Sequence, residues 1–268
     1  MEAPAKYGSI KYGSIIEGST EYYPGKRAVV VFLGGCPFRC GYCYSGPIVV
    51  ASEHCLEMPV DEMAAYLARK RTDNEAVVFT GAEPLQQWEP LTRLCTELRQ
   101  KGIAVRIETN GFYPDALERI LPFVSCIALD IKTGLDADKY AAITAFRGEP
   151  ATLMQQILLS LIALRAAKKR TPALNVEVRT TVIAGVNDSP ECIDAIAREA
   201  AFADTYALAQ FVAEGTLIDL AYQARGTTSK MKLAELAEIA LAHCANVVIR
   251  TQEDGEQKVE KTAETETD

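Results

Sequence analysis

Gly34-Gly35-Cys36-Pro37-Phe38-Arg39-Cys40-Gly41-Tyr42-Cys43-Tyr44 follows directly on the apolar run Ala28-Val29-Val30-Val31-Phe32-Leu33, and it puts three thiols within eight residues. A strand running into a glycine-softened loop lets sulfurs converge, because Gly34, Gly35 and Gly41 tolerate backbone angles that other residues avoid. Three readings stand side by side. The cysteines are small buried hydrophobes; or they bind structural zinc completed by His54 or Cys55; or they hold an iron–sulfur cluster, for which thiolate is the usual protein ligand. Zinc sites usually pair two short Cys knuckles, and no second C-x2-C occurs in this chain. Three thiolates on a four-iron cluster would leave one iron open to another ligand.

The surroundings of this loop set its class. At 268 residues, 49% apolar and 24% charged, the chain has enough material for a substantial core in one domain or two small ones. No apolar run is read as spanning a bilayer and no signal peptide precedes the core, so a cytoplasmic enzyme is expected. Cys95, Cys126, Cys192 and Cys244 fall in helix or strand interiors, which suits free thiols in a reducing compartment. A formal charge of -8 argues against a broad nucleic-acid surface and leaves room for a small local one.

Outward from the loop, strand and helix alternate. Before it lie a direct repeat, Lys6-Tyr7-Gly8-Ser9-Ile10 and Lys11-Tyr12-Gly13-Ser14-Ile15, read as a hairpin or arm over residues 1–26, and the turn Ser19 to Lys26. After it, Val60, Met63, Ala64 and Leu67 mark a helix over 59–71, Ala76 to Phe79 a buried strand, and Trp88 to Lys101 a helix. Ile103 to Glu108 is a strand, Asp115 to Leu121 a helix, Val124 to Ile131 a strand, and Leu153 to Arg170 a long helix. Asn175 to Ile183 is a strand with Val176, Val178 and Thr180 on one side and Glu177, Arg179 and Thr181 on the other. Ser189-Pro190 starts a capped helix, Tyr206 to Phe211 is the sixth core strand, Leu233 to Ala240 the last helix, and Ala245 to Ile249 a final strand or arm. From Thr251 onward seven acidic and two basic residues and no aromatics predict a disordered tail. The rhythm is that of a parallel α/β sheet, whose site is built by the loops after the strands' carboxyl ends.

With those residues in place, the C-x3-C-x2-C spacing of Cys36, Cys40 and Cys43, with aromatic Tyr42 before the last, resembles the cluster motif of the radical S-adenosylmethionine (SAM) enzymes. The resemblance implies a partial (β/α)6 barrel over 27–250, a [4Fe-4S] cluster on the three cysteines, and SAM chelated by the open iron and cleaved reductively to a 5′-deoxyadenosyl radical. Thr80-Gly81-Ala82-Glu83-Pro84 resembles the family's G-G-E-P segment, departing from it at Ala82, and implies a SAM-binding role for Gly81, Ala82 and Glu83; the alternative for Glu83 is a helix-start acid. Glu108-Thr109-Asn110-Gly111 and Leu129-Asp130-Ile131-Lys132 resemble segments that in some relatives hold a monovalent cation (Glu108, Thr109, Asp130) and contact SAM (Thr109, Asp130, Lys132). Arg179, Gln210 and Tyr42 stand where further SAM contacts are expected. Lys139 and Tyr140 are read as a surface helix start.

Over residues 8 to 212 the chain is most similar to the branch that activates glycyl-radical enzymes, in particular anaerobic ribonucleoside-triphosphate reductase. That implies a glycyl-radical protein as substrate and a flavodoxin- or ferredoxin-type reductant. Two rivals are carried: a radical SAM enzyme acting on a small molecule or RNA base, as in deazapurine formation or tRNA modification, and a zinc-stabilised binding module.

Overall fold

The structure, a computed structural model, describes residues 8–50 and 54–260. β1 (Ser9–Ser19) and β2 (Ala28–Leu33) form an antiparallel hairpin across the Tyr22 to Lys26 turn. The amino-terminal arm is therefore a hairpin; residues 1–7, and with them the start of the direct repeat, lie outside the described residues. The cysteine loop leaves β2 and enters the short α1 (Gly46–Val50), and β3 (Leu56–Pro59) pairs with the outer edge of β1.

From there the units are α2 (Val60–Arg69), β4 (Ala76–Gly81), α3 (Trp88–Gln100), β5 (Ala104–Thr109), α4 (Pro114–Ile120), β6 (Cys126–Asp130), α5 (Ala137–Thr144) and α6 (Pro150–Arg170). The chain continues through β7 (Asn175–Val182), α7 (Pro190–Ala200), β8 (Thr205–Gln210), α8 (Lys230–Ala240), β9 (Val247–Thr251) and β10 (Gly255–Val259). The strand order is β10-β9-β8-β7-β6-β5-β4-β2-β1-β3, and β2 through β9 along that row are parallel neighbours. Each crossover adds its strand beside the last, so the carboxyl ends of these parallel strands open on one rim, as in a partial barrel.

The six β/α units of the expected barrel, built on β2 and β4 through β8, are joined by β9, which docks against β8 where a final strand or arm was expected. One expectation is corrected here. The carboxyl-terminal segment is not disordered from Thr251: β10 pairs residue for residue with β9, from Gly255 opposite Thr251 to Val259 opposite Val247. Its acids are compensated locally, Glu256 by Arg250 at 2.7 Å and Glu253 by Lys230 at 2.7 Å. Residues 261–268 of the expected tail lie outside the described residues. α6 is long and apolar enough by composition to cross a bilayer. Here it is a core helix that buries Leu153, Ile157, Leu161 and Leu164.

The two faces of the sheet differ in kind. Val29, Val31, Val77, Phe79, Val105, Ile107, Ile127, Leu129, Val176, Val178 and Leu208 join one large apolar core with the helices. The alternate residues face the concave side, where a small cluster of Ala28, Val30, Ala76, Val78 and Cys126 gives way to charged side chains.

Candidate active site

Cys36, Cys40 and Cys43 wall one side of a cleft at the carboxyl rim, facing Thr80 to Ala82, Glu108 to Asn110, Asp130, Lys132, Arg179 and Thr181. The cleft encloses about 810 Å³, its open mouth included. The loop is fixed by short backbone bonds: Cys43 N–H to Cys40 at 3.0 Å, Arg39 N–H to Thr144 at 2.8 Å, and Gly35 N–H to Ile48 at 3.0 Å. Of its glycines only Gly35 has left-handed backbone, at φ 88°. Gly34 and Gly41 are needed for close approach instead: a Cβ would sit 2.3 Å from Cys55 Sγ in the first and 2.5 Å from the Tyr222 ring in the second.

The donor set suits a cluster. Burial pushes the Cys36 and Cys40 thiols up, Cys40 to about 11, so these sulfurs keep their protons at neutral pH unless metal-centred positive charge takes the proton's place. Cys36 Sγ already accepts from Phe38 N–H at 3.4 Å and from the Asn110 side-chain amide at 3.6 Å. Neither His54 nor Cys55 lines the cleft, so the completion of a zinc site expected from them is not assembled. Among the described residues no three His, Cys, Asp or Glu side chains converge as ligands of a single ion.

Opposite the cysteines, β4 ends in Gly81, whose φ of 105° only glycine holds comfortably, and where a Cβ would meet Leu33 backbone N and O at 2.8 Å. The demand for glycine therefore falls on Gly81. Ala82 has no positive φ, its N–H donates to Leu33 at 3.1 Å, and it lines the cleft without strain. Glu83 is fully buried and is not on the cleft wall. One of its oxygens accepts from Leu85 N–H at 2.9 Å, as cap of the 3-10 turn Pro84–Gln87, and from Thr109 Oγ1 at 2.8 Å; the other accepts from Asn110 N–H at 2.7 Å. Burial pushes its carboxyl up to about 7, against the pull of these donors. The acid expected to touch SAM instead ties the β4 and β5 loops together.

Across the cleft floor the charges interlock. Arg179 bridges Glu108 at 3.2 Å and Asp130 at 3.3 Å, and Lys132 meets Asp130 at 2.7 Å. The place expected for a monovalent cation between Glu108 and Asp130 is thus taken by a guanidinium, with Thr80 Oγ1 adding a bond to Glu108 at 2.9 Å. Thr109 turns its hydroxyl to Glu83. Burial works against ionising either acid, yet Arg179 and Arg106 hold Glu108, and Lys132 and Arg179 hold Asp130, below the usual carboxylate range. Asp130 raises Lys132 despite its burial. Among the described residues, one oxygen of Asp130 and the Tyr42 hydroxyl are buried without a hydrogen-bond partner, a costly state that a bound polar ligand would relieve. Gln210 lies elsewhere: it donates to Thr228 at 2.8 Å and accepts from Gln252 N–H at 3.0 Å, clasping the β9–β10 hairpin.

Sequence reading gave no role to four side chains that shape this site. Tyr140 is fully buried rather than a surface residue, and its hydroxyl accepts from Lys132 N–H at 3.1 Å. Asn187 donates to the Lys132 carbonyl at 2.7 Å, so the lysine's backbone is held from both sides. Asn110 spends its carbonyl oxygen on Phe112 N–H at 3.0 Å, which aims its amide at Cys36. Tyr44, half exposed at the mouth, exchanges bonds with both backbone groups of Val212. The arrangement offers three sulfurs, fixed cations for a carboxylate and an unpartnered carboxylate oxygen for an ammonium, in a cleft with an open mouth.

A sequence model described as the Radical SAM superfamily matches residues 30–200, from β2 through α7. A Methanocaldococcus jannaschii protein named as a candidate glycyl-radical enzyme activating enzyme is 32% identical over 239 residues, 88% of this chain and 94% of that one. A 7-carboxy-7-deazaguanine synthase of Hyperthermus butylicus is 36% identical over 95 residues, 34% of this chain and 38% of that one. Among solved structures, TYW1 with a lysine-pyruvate adduct bound superposes with a TM-score of 0.57 at 16% identity, over 88% of this chain and 80% of that one, a likeness of fold.

Proposed function

The chain belongs to the radical SAM superfamily, and from that premise we propose that it activates a glycyl-radical enzyme, with an anaerobic ribonucleotide reductase as the partner to test first. The observation that carries this reading is the match along nearly the whole length of a relative so named; the match to the deazaguanine synthase stops at about a third of either chain. An open cleft supports it, since a glycine on a protein loop must reach the reacting centre.

Membership implies a [4Fe-4S] cluster and SAM, which when reduced together supply a 5′-deoxyadenosyl radical that takes a hydrogen atom from the substrate. The residues present do the rest. Cys36, Cys40 and Cys43 would hold the cluster, and the Asn110 amide would remain a donor to one of its sulfurs. Lys132 and Arg179 would receive the carboxylate of SAM, and the unpartnered oxygen of Asp130 its ammonium. Glu83 keeps the two loops that face the cluster in register. A flavodoxin- or ferredoxin-type protein in a reducing cytoplasm would supply the electron.

The test is anaerobic reconstitution, reduction, and incubation with SAM and the candidate reductase. Formation of 5′-deoxyadenosine together with a glycyl EPR doublet on the partner is expected. SAM cleavage without a doublet on any glycyl-radical protein, accompanied by conversion of a deazapurine precursor, would overturn the activase reading. One zinc per chain with no visible charge-transfer absorbance would sink the redox reading altogether. Alanine at any one of Cys36, Cys40 or Cys43 is expected to abolish SAM cleavage, and cluster absorbance should persist in Cys95→Ala.

A further inference from the structure

Cys36 differs from its two neighbours in walling a second hollow. A second groove, of about 560 Å³, shares only Cys36 with the cleft and is lined besides by Pro37, Arg39, Phe146 and Arg147. Among the described residues no carboxylate lines it, in a chain whose formal charge is -8. Arg39 is held rigidly, one guanidinium nitrogen donating to the carbonyls of Cys36 and Phe38 at 2.7 Å each. Arg147 is exposed on a turn that begins at Ala145, the one non-glycine residue with left-handed backbone among those described, at φ 46° and ψ 42°. Such strain persists only where the surroundings enforce it. Here Phe146 enforces it, its ring packed 6.1 Å from Phe38 and 5.1 Å from Phe112.

We propose that this groove is the docking site of a small acidic one-electron carrier protein, and that Cys36 is the point at which its electron enters. The proposal rests on the function proposed above. SAM and a substrate loop fill the cleft, so an electron delivered while they are bound has to arrive from another side, and Cys36 is the cluster ligand reachable from one. In the step, one electron leaves the carrier, which is oxidised by one, and enters the cluster, which is reduced by one; no atom or proton moves. The arginine pair selects the partner by charge, which acts on the encounter rate and weakens with salt.

The experiment uses the reconstituted full chain, reduced flavodoxin as the carrier, and stopped-flow bleaching of cluster absorbance. Arg147→Glu is expected to slow reduction by flavodoxin at least tenfold at low ionic strength and to lose most of its salt dependence. Dithionite should reduce the variant within about twofold of the wild-type rate, because the cluster is untouched. Lys169→Glu, at the far end of α6, should behave as wild type. Titration with oxidised flavodoxin should show weaker binding to Arg147→Glu, a readout independent of turnover. Equal flavodoxin rates in wild type and Arg147→Glu, or an equal slowing by dithionite, would overturn the proposal. So would unchanged carrier reduction with weakened binding of the glycyl-radical protein, which would make the groove part of the substrate interface. Each of these leaves the proposed activity standing, since dithionite-driven SAM cleavage tests that separately.

Discussion

Strand β7 carries both kinds of cohesion in eight residues. Val176, Val178, Thr180 and Val182 are buried on the helix side, while Glu177, Arg179 and Thr181 face the concave side. The helix side is held by area: apolar surface removed from water, without direction, at roughly 25 cal/mol per Å². On the concave side pairing does the holding. Glu177 is gripped by two guanidinium forks, Arg106 at 3.0 and 3.2 Å and Arg250 at 2.7 and 2.8 Å. The pairing continues without a break from Lys132 through Asp130, Arg179, Glu108, Arg106, Glu177 and Arg250 to Glu256. Cations and anions alternate and balance, so the lining tolerates burial only as a set. An apolar face adapts to the volume put into it; an ionic one fixes where each side chain points. The cleft sits at the end of the ionic face, where fixed direction is what ligand binding needs.

The difference can be broken most sharply at Arg106, which is 1% exposed. Arg106→Leu leaves Glu108 and Glu177 each short of a partner, and a loss of about 3–5 kcal/mol in urea unfolding is expected. A loss below about 1 kcal/mol would mean that the pairs hold nothing. Leu129→Ala, on the helix side, should cost about 2–5 kcal/mol through its cavity, and Ile107→Val, beside Arg106 but facing the helices, about 0.5–1.5 kcal/mol. If Ile107→Val costs as much as Arg106→Leu, the two faces are not distinct.

Acid sharpens the same contrast. Glu177, Glu108 and Asp130 are held below the ordinary carboxylate range in the folded state, Glu177 despite its burial by Arg250 and Arg106. The unfolded chain therefore takes up protons first as pH falls. Stability from these groups is complete above about pH 4.5 and is lost as pH drops through the lower folded values. Unfolding midpoints followed from pH 6 to 3 should fall steeply in wild type and in parallel in Ile107→Val. They should fall less steeply in Arg106→Leu, where the depression of Glu177 and Glu108 is smaller. Identical slopes in all three would place the acid sensitivity elsewhere.

The helix side was legible because burial on one face leaves a period that needs no knowledge of partners: Val176, Val178 and the alternation around them name a strand outright. The spacing of the three cysteines marked their loop, and the structure brings all three to one cleft wall. The concave side was legible residue by residue but not as pairs. Arg106 and Glu177 lie 71 residues apart and meet only after β6 is laid between their strands. Glu108 and Asp130 therefore looked like free oxygen ligands, when Arg179 stands between them. Glu83 was ambiguous for a related reason, since an acid after a strand looks the same whether its oxygens face a ligand or three protein donors. The last hairpin did carry a signal. Asp254-Gly255 is a turn pair, with Gly255 left-handed at φ 66° after a three-residue loop, and a reading by acidic composition does not see it.

The smallest expected effect lies where the ionic face meets the cysteine loop. Asn110 keeps its amide on Cys36 because its oxygen is anchored on Phe112 N–H, a fixed dipole of the concave kind turned toward a sulfur. Donors to cluster sulfurs favour the reduced state, whose added negative charge they stabilise. One neutral bond of about 1 kcal/mol corresponds to about 40 mV in a one-electron couple. Asn110→Ala should lower the cluster's midpoint potential by about that amount in an EPR-monitored redox titration. Asn110→Asp retains the acceptor for Phe112 while replacing the donor with negative charge, so it should lower the potential further at a smaller cost in thermal stability than alanine. A role confined to holding the turn would give the reverse pattern, with stability lost in Asn110→Ala and potential unmoved in both. That outcome would put Asn110 with the packing residues and leave the ordered polar wall without a direct effect on the electronic state of the cluster.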